Sequence, residues 1–202
     1  MRLFRRSSGE NGHWIVVGLG NPGPDYAGTR HNVGAMVVEE LLGRKSASLK
    51  SHKSGCLIAE VRLGDDKVVL ARSTSYMNES GRPVGSLIRF YKAPIQRVVV
   101  VHDELDVRLG EVRLKSGGGT AGHNGLRSLV AHLGKDFVRV RVGISRPRGR
   151  QDPTDYVLDD FGKAEREELP FVLGRAADAV ERVIEVGIER AMNEFNTRTA
   201  EP

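Results

Sequence analysis

The sequence predicts an α/β fold: a single domain in which a mixed, twisted β-sheet is flanked by helices on both faces, a three-layer αβα arrangement. Two observations predict it. Short apolar runs typical of buried strands alternate along the chain with segments whose apolar residues recur at helical spacing. One strand pair, residues 56–63 and 67–71, flanks Gly64-Asp65-Asp66 as in a hairpin, which makes the sheet mixed rather than purely parallel.

The other elements follow from the same patterns. The long C-terminal helical segment has Pro170 near a helix start and Gly187 as a weak point. Besides the hairpin, strands are predicted at residues 13–19, 97–101, 111–115 and 137–144. Helices are predicted at residues 33–42, 84–91, 126–133 and 163–195.

Length and composition restrict the class of protein. The 202 residues suffice for one sizeable core, and we expect a domain at residues 13–197 after a mobile tail at residues 1–12. The single cysteine, Cys56, excludes an internal disulfide and favours a reducing compartment, so we expect a cytoplasmic protein. No apolar stretch approaches the ~18 residues of a membrane span. The net charge of +5 favours an anionic partner, and nothing demands a partner chain, so we expect a monomer.

Polar clusters follow the predicted strands at residues 20–32, 73–81 and 102–106, and a glycine-rich fourth lies at residues 117–125. In α/β sheets ligands bind beyond the carboxyl ends of strands, so we expect these clusters to meet in one site. The run GLGNPG at residues 18–23 also matches a dinucleotide-binding fingerprint. The match is weak, because its proline removes a backbone donor and the next proline keeps a helix from starting directly after the third glycine.

Four segments together resemble the bacterial peptidyl-tRNA hydrolase family: VGLGNPGPDYAGTRHNVG (17–34), TSYMNESG (74–81), VVVHDELD (99–106) and GGGTAGHNGLRS (117–128). RVRVGISRP (139–147) and YVLDDF (156–161) add to the resemblance, which runs from about residue 14 to Asn196. The resemblance implies an enzyme that hydrolyses the ester joining a peptide to tRNA. Its role would be to recycle tRNA after premature termination or ribosome drop-off.

The resemblance also implies roles for individual residues. His31 corresponds to the family's catalytic base and Asp103 to the carboxylate partner of that base. Asn21 corresponds to the position that helps to distinguish peptidyl-tRNA from free aminoacyl-tRNA. Lys115 and Arg141 correspond to the basic pair that holds the phosphate at the 5′ end of the tRNA. The residues that match positions around the tRNA 3′ end and the reacting ester are Tyr26, Tyr76, Asn78 and Asn124. Met77 and His123 are also expected at the substrate site, His123 in support rather than in catalysis.

These residue types suit ester hydrolysis. Neutral imidazole accepts a proton near pH 7, and a carboxylate on its other ring nitrogen fixes the tautomer. Asparagine amides can donate to a developing oxyanion. No serine or cysteine has the motif of a nucleophile, so we expect direct attack by water. We expect no metal and no cofactor, because familiar ligand spacing is missing among His102, Asp103, Glu104, Asp106 and His123.

Each assignment has a structural alternative. His31 could cap or pack the following helix, Asp103 could be a turn residue, and Asn78 could cap the next helix. Asn21 and Asn124 stand beside glycines, where left-handed turns commonly use asparagine. Three functions therefore stay open: the hydrolase, an RNA-binding module of the same fold with little turnover, and, on the glycine run alone, a nucleotide-dependent oxidoreductase.

Basic residues alternate with apolar ones in two predicted strands. In strand 137–144 the alternation places Arg139 and Arg141 on one face. We expect a phosphate platform that recognises tRNA by shape and backbone, the alternative being a solvated strand face. The other members of this platform are Arg113 and Lys115 on strand 111–115 and, in a loop, Arg146, Arg148 and Arg150.

Four positions depart from the family pattern. Ser73 and Ser75 stand where proline and threonine are common, and Ala121 and Ser145 replace glycines. None of them removes a proposed catalytic group. An alanine resists positive φ, so if Ala121 must adopt it we expect a shifted loop and a changed rate rather than lost chemistry.

Overall fold

The computed structural model describes residues 12–147 and 149–197. The expected tail therefore lies, apart from Gly12, outside the described residues, and so does Arg148 of the basic loop. One seven-stranded sheet has the strand order β2-β3-β4-β1-β5-β7-β6. Its strands are β1 (Trp14–Gly18), β2 (Lys50–His52), β3 (Cys56–Leu63), β4 (Asp66–Ser73), β5 (Val98–Glu104), β6 (Val112–Ser116) and β7 (Val138–Gly143).

The sheet is mixed, as the sequence predicts. The four central strands β4, β1, β5 and β7 are parallel to one another. The predicted hairpin is formed by β3 and β4, and the antiparallel strands β2 and β6 close the two edges. The parallel strands therefore share one carboxyl edge at which the chain can gather side chains from distant segments.

Helices cover both faces of this sheet, which confirms the three-layer prediction. One face packs against α2 and α3, and the other packs against α1, α5 and α6. Within the part of the chain that the structure describes, no helix is both long and apolar enough to cross a bilayer. The helices are α1 (Val33–Arg44), α2 (Gly81–Tyr91), α3 (Asn124–Leu133), α4 (Pro153–Leu158), α5 (Lys163–Val186) and α6 (Ile188–Phe195).

The glycine run at residues 18–23 serves packing. A Cβ atom at Gly18 would lie 2.2 Å from the carbonyl oxygen of Gly34 in α1, and one at Gly34 would lie 2.2 Å from that of Val101 in β5. Glycines are thus needed where α1 crosses closely over the sheet. The run continues into a 3-10 helix at Pro24–Tyr26 instead of an α-helix, so it lacks the helix N-terminus of a dinucleotide site.

Several elements differ from the prediction, and the short edge strand β2 was not predicted. Strand β5 runs on to Glu104, because β7 pairs with it beyond Val101. Pro170 lies inside α5 and not near a helix start, because the helix begins earlier, where the Glu165 carboxylate accepts the Gly162 N–H. Helix α4 was missed, although Asp152 caps it and Pro153 occupies its first turn.

Candidate active site

The predicted polar clusters meet in one cavity of about 540 Å³ at the carboxyl edge of the sheet. Parallel strands bring them there, because β1, β4 and β5 all end on this side. Residues from helix α4, which the sequence analysis did not include, add an apolar wall through Val157 and Leu158. The lining residues from the predicted clusters include Asn21, Tyr26, His31, Tyr76, Met77, Asn78, Asp103, His123 and Asn124.

His31 and Asp103 form a buried hydrogen-bonded pair in this cavity. The Nδ1 atom of His31 lies 3.0 Å from both carboxylate oxygens of Asp103. His31 belongs to a 3-10 helix, Arg30–Asn32, that leads into α1, and Asp103 belongs to β5. Because a carboxylate can only accept, Nδ1 carries the proton and the lone pair of His31 is on Nε2. The structure therefore places the two residues in direct contact, and their catalytic roles stay a prediction.

Asp103 accepts a second hydrogen bond, from Nε2 of His123 to Oδ1 at 2.9 Å. Burial alone raises the pKa of Asp103, but the His123 and His31 rings outweigh it and hold this pKa well below its usual range. Asp103 is thus a carboxylate throughout the physiological range. Burial also raises the pKa of the Cys56 thiol to about 11, which agrees with the expectation that no cysteine acts as a nucleophile.

Asn21 is held in one orientation by two neighbours. Its backbone N–H donates to Oδ1 of Asn32 at 2.8 Å, and Nδ2 of Asn32 donates to the backbone oxygen of Asn21 at 2.9 Å. Its side-chain Oδ1 accepts the N–H of Met77 at 2.8 Å. The amide Nδ2 of Asn21 therefore keeps its hydrogens for another acceptor. Asn32, which was not among the predicted site residues, is the residue that fixes this turn.

The remaining predicted contact residues lie around the mouth of the cavity. Tyr26 and Tyr76 meet edge to face, with ring centroids 6.4 Å apart, and Tyr76 is 56% exposed. Asn78 and Asn124 are exposed lining residues, whereas Met77 is buried. The residue that directly precedes α2 is Ser80, so Asn78 does not cap that helix.

Arg30, which the sequence analysis did not single out, connects His31 to the apolar wall. Its guanidinium is buried, forms an ion pair with Glu165 at 2.6 Å and lies 4.2 Å from the centre of the Tyr156 ring. It also donates to the backbone oxygens of Tyr156 and Asp159 at the end of α4. The position of α4 therefore depends on the residue directly before His31.

The predicted phosphate platform is only partly available. Pairing of β6 with β7 places Arg113 opposite Arg141 and Lys115 opposite Arg139, so the four share one face. Arg139 was expected to face phosphate but is 3% exposed, and its guanidinium donates to the carbonyl oxygens of Gly118 and Gly119. Lys115 is exposed. Among the described residues, Arg141 has one side-chain hydrogen bond, from its Nε to Glu104 at 3.0 Å. Two members, Arg113 and Arg146, are paired with Glu111 and Asp106.

The departures from the family pattern have visible consequences. Ala121 has a φ of +46° and Ser145 a φ of +60°, so the backbone of both residues is in the left-handed region. At Ser145 the cost of this backbone conformation is partly offset, because the serine hydroxyl accepts the Leu109 N–H at 2.9 Å. The hydroxyl of Ser73 accepts the N–H of Ser75, which closes a local turn before Tyr76.

One group of described side chains could hold a metal ion: His31, Asp103 and His123 offer ligand atoms that lie within 4.8 Å of one another. The same atoms form the hydrogen bonds described above, and a metal ion would have to displace both ring protons. The absence of a metal requirement therefore stays a prediction.

A histidine held by a buried carboxylate, beside amide donors and open to a cavity, can take a proton from water while an oxyanion forms. The site, carried on an α/β fold, defines the class of the protein as a hydrolase. The sequence model of the peptidyl-tRNA hydrolase family matches residues 15–202. The chain belongs to that family, and its reaction class is hydrolysis of the peptidyl-tRNA ester.

Relatives and solved structures agree with this membership. The peptidyl-tRNA hydrolase of Frankia alni is 56% identical over 188 residues, which is 93% of this chain and 95% of the relative. That of Mycolicibacterium smegmatis is 55% identical over 181 residues, covering 89% and 95% of the two chains. A crystal structure of peptidyl-tRNA hydrolase from Acinetobacter baumannii is similar with a TM-score of 0.85 at 35% identity, covering 92% of this chain and 95% of the other.

Proposed function

We propose that His31 is the general base of ester hydrolysis and that Asp103 holds it in the reactive tautomer. The observation that carries the proposal is the pair of 3.0 Å contacts from Nδ1 of His31 to the Asp103 carboxylate. With Nδ1 protonated, Nε2 removes a proton from the attacking water, and Asp103 stabilises the imidazolium that forms. The resulting hydroxide adds to the carbonyl carbon of the peptide ester. The bond from that carbon to the ribose oxygen then breaks, and the proton on Nε2 passes to the ribose oxygen, which leaves as a hydroxyl of the tRNA.

The asparagines place the ester and stabilise its negative charge in this proposal. Asn21 donates from Nδ2, since its Oδ1 is already engaged by Met77. Asn78 and Asn124 line the same cavity from the clusters at residues 73–81 and 117–125. One well-placed donor to an oxyanion contributes about 3–4 kcal/mol to transition-state stability. Tyr26 and Tyr76 provide aromatic surfaces for the terminal adenosine at the cavity mouth.

The tRNA substrate is held further away by Lys115 and Arg141, which bind the phosphate at its 5′ end. Both lie on the face shared by β6 and β7, and Glu104 holds Arg141 next to the strand that carries Asp103. Recognition through phosphates does not depend on sequence, which suits an enzyme that must accept many tRNAs. We further propose that the protein acts as a cytoplasmic monomer and needs no metal, a point that chelation by EDTA tests directly.

The proposed base is tested with N-blocked aminoacyl-tRNA as substrate and the variant His31→Ala. We expect wild-type hydrolysis to be fast and insensitive to EDTA, and the variant to lose at least about 10³-fold in kcat. His52→Ala, which removes a histidine of the outer strand β2 that does not line the cavity, serves as the control. Unchanged hydrolysis in His31→Ala would refute the base. Binding of the tRNA without hydrolysis by the wild type would instead support the RNA-binding module.

A further inference from the structure

Both ring nitrogens of His123 are engaged, and the partners on the two sides differ in kind. Its Nδ1 lies 3.1 Å from the backbone nitrogen of Gly125 and 3.3 Å from that of Leu126, in the first turn of α3. Its Nε2 lies 2.9 Å from Oδ1 of Asp103. Backbone N–H groups can only donate, so Nδ1 must be an unprotonated acceptor and the single ring proton must be on Nε2.

We propose that His123 is a positioning residue that stays neutral through the reaction, with its tautomer fixed by the backbone of α3. A proton on Nδ1 would point at two N–H donors and remove the cap of the helix. It would also place a positive charge at the N-terminus of α3, where the partial charge of the helix is already positive. His123 therefore donates to the Asp103 carboxylate and orients it, whereas His31 donates to the same carboxylate and is held by it.

The surrounding groups support this division of labour. The titratable groups that face His123 are Asp103, His31 and His102. The ring centroid of His123 lies 4.7 Å from that of His31 and 5.2 Å from that of His102. His102 donates from Nδ1 to the backbone oxygen of Asp103, and burial lowers its pKa to about 3. The Nε2 of His102 has no hydrogen-bond partner in the described structure, but it is buried, and His102 does not line the cavity. Of these three histidines, only His31 therefore presents an unpaired ring nitrogen to the cavity.

The fixed tautomer also links the glycine-rich loop to the base. His123 ends that loop, and Arg139 holds the loop through the carbonyl oxygens of Gly118 and Gly119. The next residue, Asn124, lines the cavity. The loop that places Asn124 in the cavity therefore also orients the Asp103 carboxylate, to which His31 donates.

The variant His123→Asn separates the two contacts of this residue. The Oδ1 of asparagine stands at the same branch position as Nδ1 of histidine, and asparagine is among the best N-cap residues, so the cap of α3 is retained. The hydrogen bond to Asp103 is lost, because asparagine lacks the outer half of the ring. His123→Ala loses both contacts. His132→Asn, on the same helix and bonded to Ser128, is the matched control.

The kinetic test rests on the proposed role of His31. We expect His123→Asn to keep the wild-type melting temperature but to lower kcat/KM by roughly tenfold, the scale of one hydrogen bond to a charged group. With one donor fewer, Asp103 attracts the proton on His31 more strongly, so the acidic limb of the pH profile moves to higher pH. His132→Asn should move neither. An unshifted acidic limb in His123→Asn would reduce His123 to a helix cap, and a loss as large as in His31→Ala would make it a proton carrier.

A second measurement does not depend on turnover. In the ¹⁵N spectrum of histidine-labelled protein, His123 should show a protonated Nε2 and an unprotonated Nδ1 from about pH 5 to about pH 8, the range in which histidines ordinarily change charge. Appearance of a proton on its Nδ1 in the folded protein would overturn the proposal. If the wild type hydrolysed no N-blocked aminoacyl-tRNA, the proposed function would fail while this spectrum still decided the tautomer.

Discussion

The His31 ring and the Asp103 carboxylate, 72 positions apart in the chain, form a contact in which Nδ1 is 3.0 Å from both oxygens. The contact exists because β1 and β5 are parallel neighbours. The chain that leaves β1 therefore passes the carboxyl end of β5, where Asp103 lies. Two segments with no local relationship thus provide the proposed catalytic pair.

Replacing Asp103 by asparagine tests what the carboxylate contributes. Both His31 and His123 donate to Asp103, and an amide has only one oxygen to accept from them. We expect Asp103→Asn to lower kcat by on the order of 10³–10⁴-fold, because His31 is no longer held in the reactive tautomer. Asp178→Asn on the surface of α5 is the control and should retain activity. A kcat within tenfold of wild type for Asp103→Asn would contradict the proposed pair.

His102 predicts a pH dependence of stability. Burial lowers its pKa from 6.5 in the unfolded chain to about 3 in the folded one. Between these values the unfolded chain binds a proton that the folded chain does not, so the free energy of unfolding rises with pH, by at most about 1.4 kcal/mol per pH unit. In His102→Asn this contribution is absent, and its amide can still donate to the Asp103 carbonyl.

Urea unfolding at pH 4.5, 5.5 and 6.5 measures the effect. We expect a shallower pH dependence in His102→Asn than in the wild type, and an unchanged one in the exposed control His132→Asn. The range lies above the ordinary pKa of Asp103, 3.8, so the depressed pKa of that carboxyl adds little slope there. Equal slopes in wild type and His102→Asn would show that His102 is not kept neutral by burial.

Ala121 should be replaceable by glycine with a gain in stability. Its φ of +46° costs an alanine roughly 1–2 kcal/mol. Glycine removes this cost but also raises the conformational entropy of the unfolded chain, which offsets part of the gain. We expect Ala121→Gly to raise the free energy of unfolding by about 0.5–1 kcal/mol. Ala131→Gly, in the last turn of α3, should lower it by about 0.5–1 kcal/mol. Ser145→Gly should gain less than Ala121→Gly, because it loses the hydrogen bond to Leu109. Chemical denaturation of the three variants decides the order.

Lys115 and Arg141 are expected to anchor substrate more than to assist the chemical step. The double variant Lys115→Ala, Arg141→Ala should raise KM more than it lowers kcat, and the dependence of binding on salt should weaken. Arg62→Ala with Lys67→Ala removes the same charge at the far end of the β3–β4 hairpin, and this control should leave KM near the wild-type value. A fall in kcat alone would show that the pair is not a substrate anchor.

Local patterns predicted much of the fold and of the site. The hairpin, the buried strands and the four polar clusters were all predicted, because each depends on residues close together in the chain. The wall formed by α4 was missed, since only an Asp152-Pro153 signal marks that short helix. The second contact of Asp103 was missed as well, because the residues are 20 positions apart and no local pattern joins them.

The sequence by itself determined that Arg139 and Arg141 share a face of their strand, because side chains alternate along any strand. Only the tertiary structure decided that their roles differ. Arg139 lies under the glycine-rich loop, where the carbonyl oxygens of Gly118 and Gly119 accept its hydrogens. Arg141 donates to Glu104 from its Nε, so its two terminal nitrogens are left for a phosphate. A cation becomes a structural anchor or a phosphate ligand according to the groups that pack around it, and those groups come from other strands and loops.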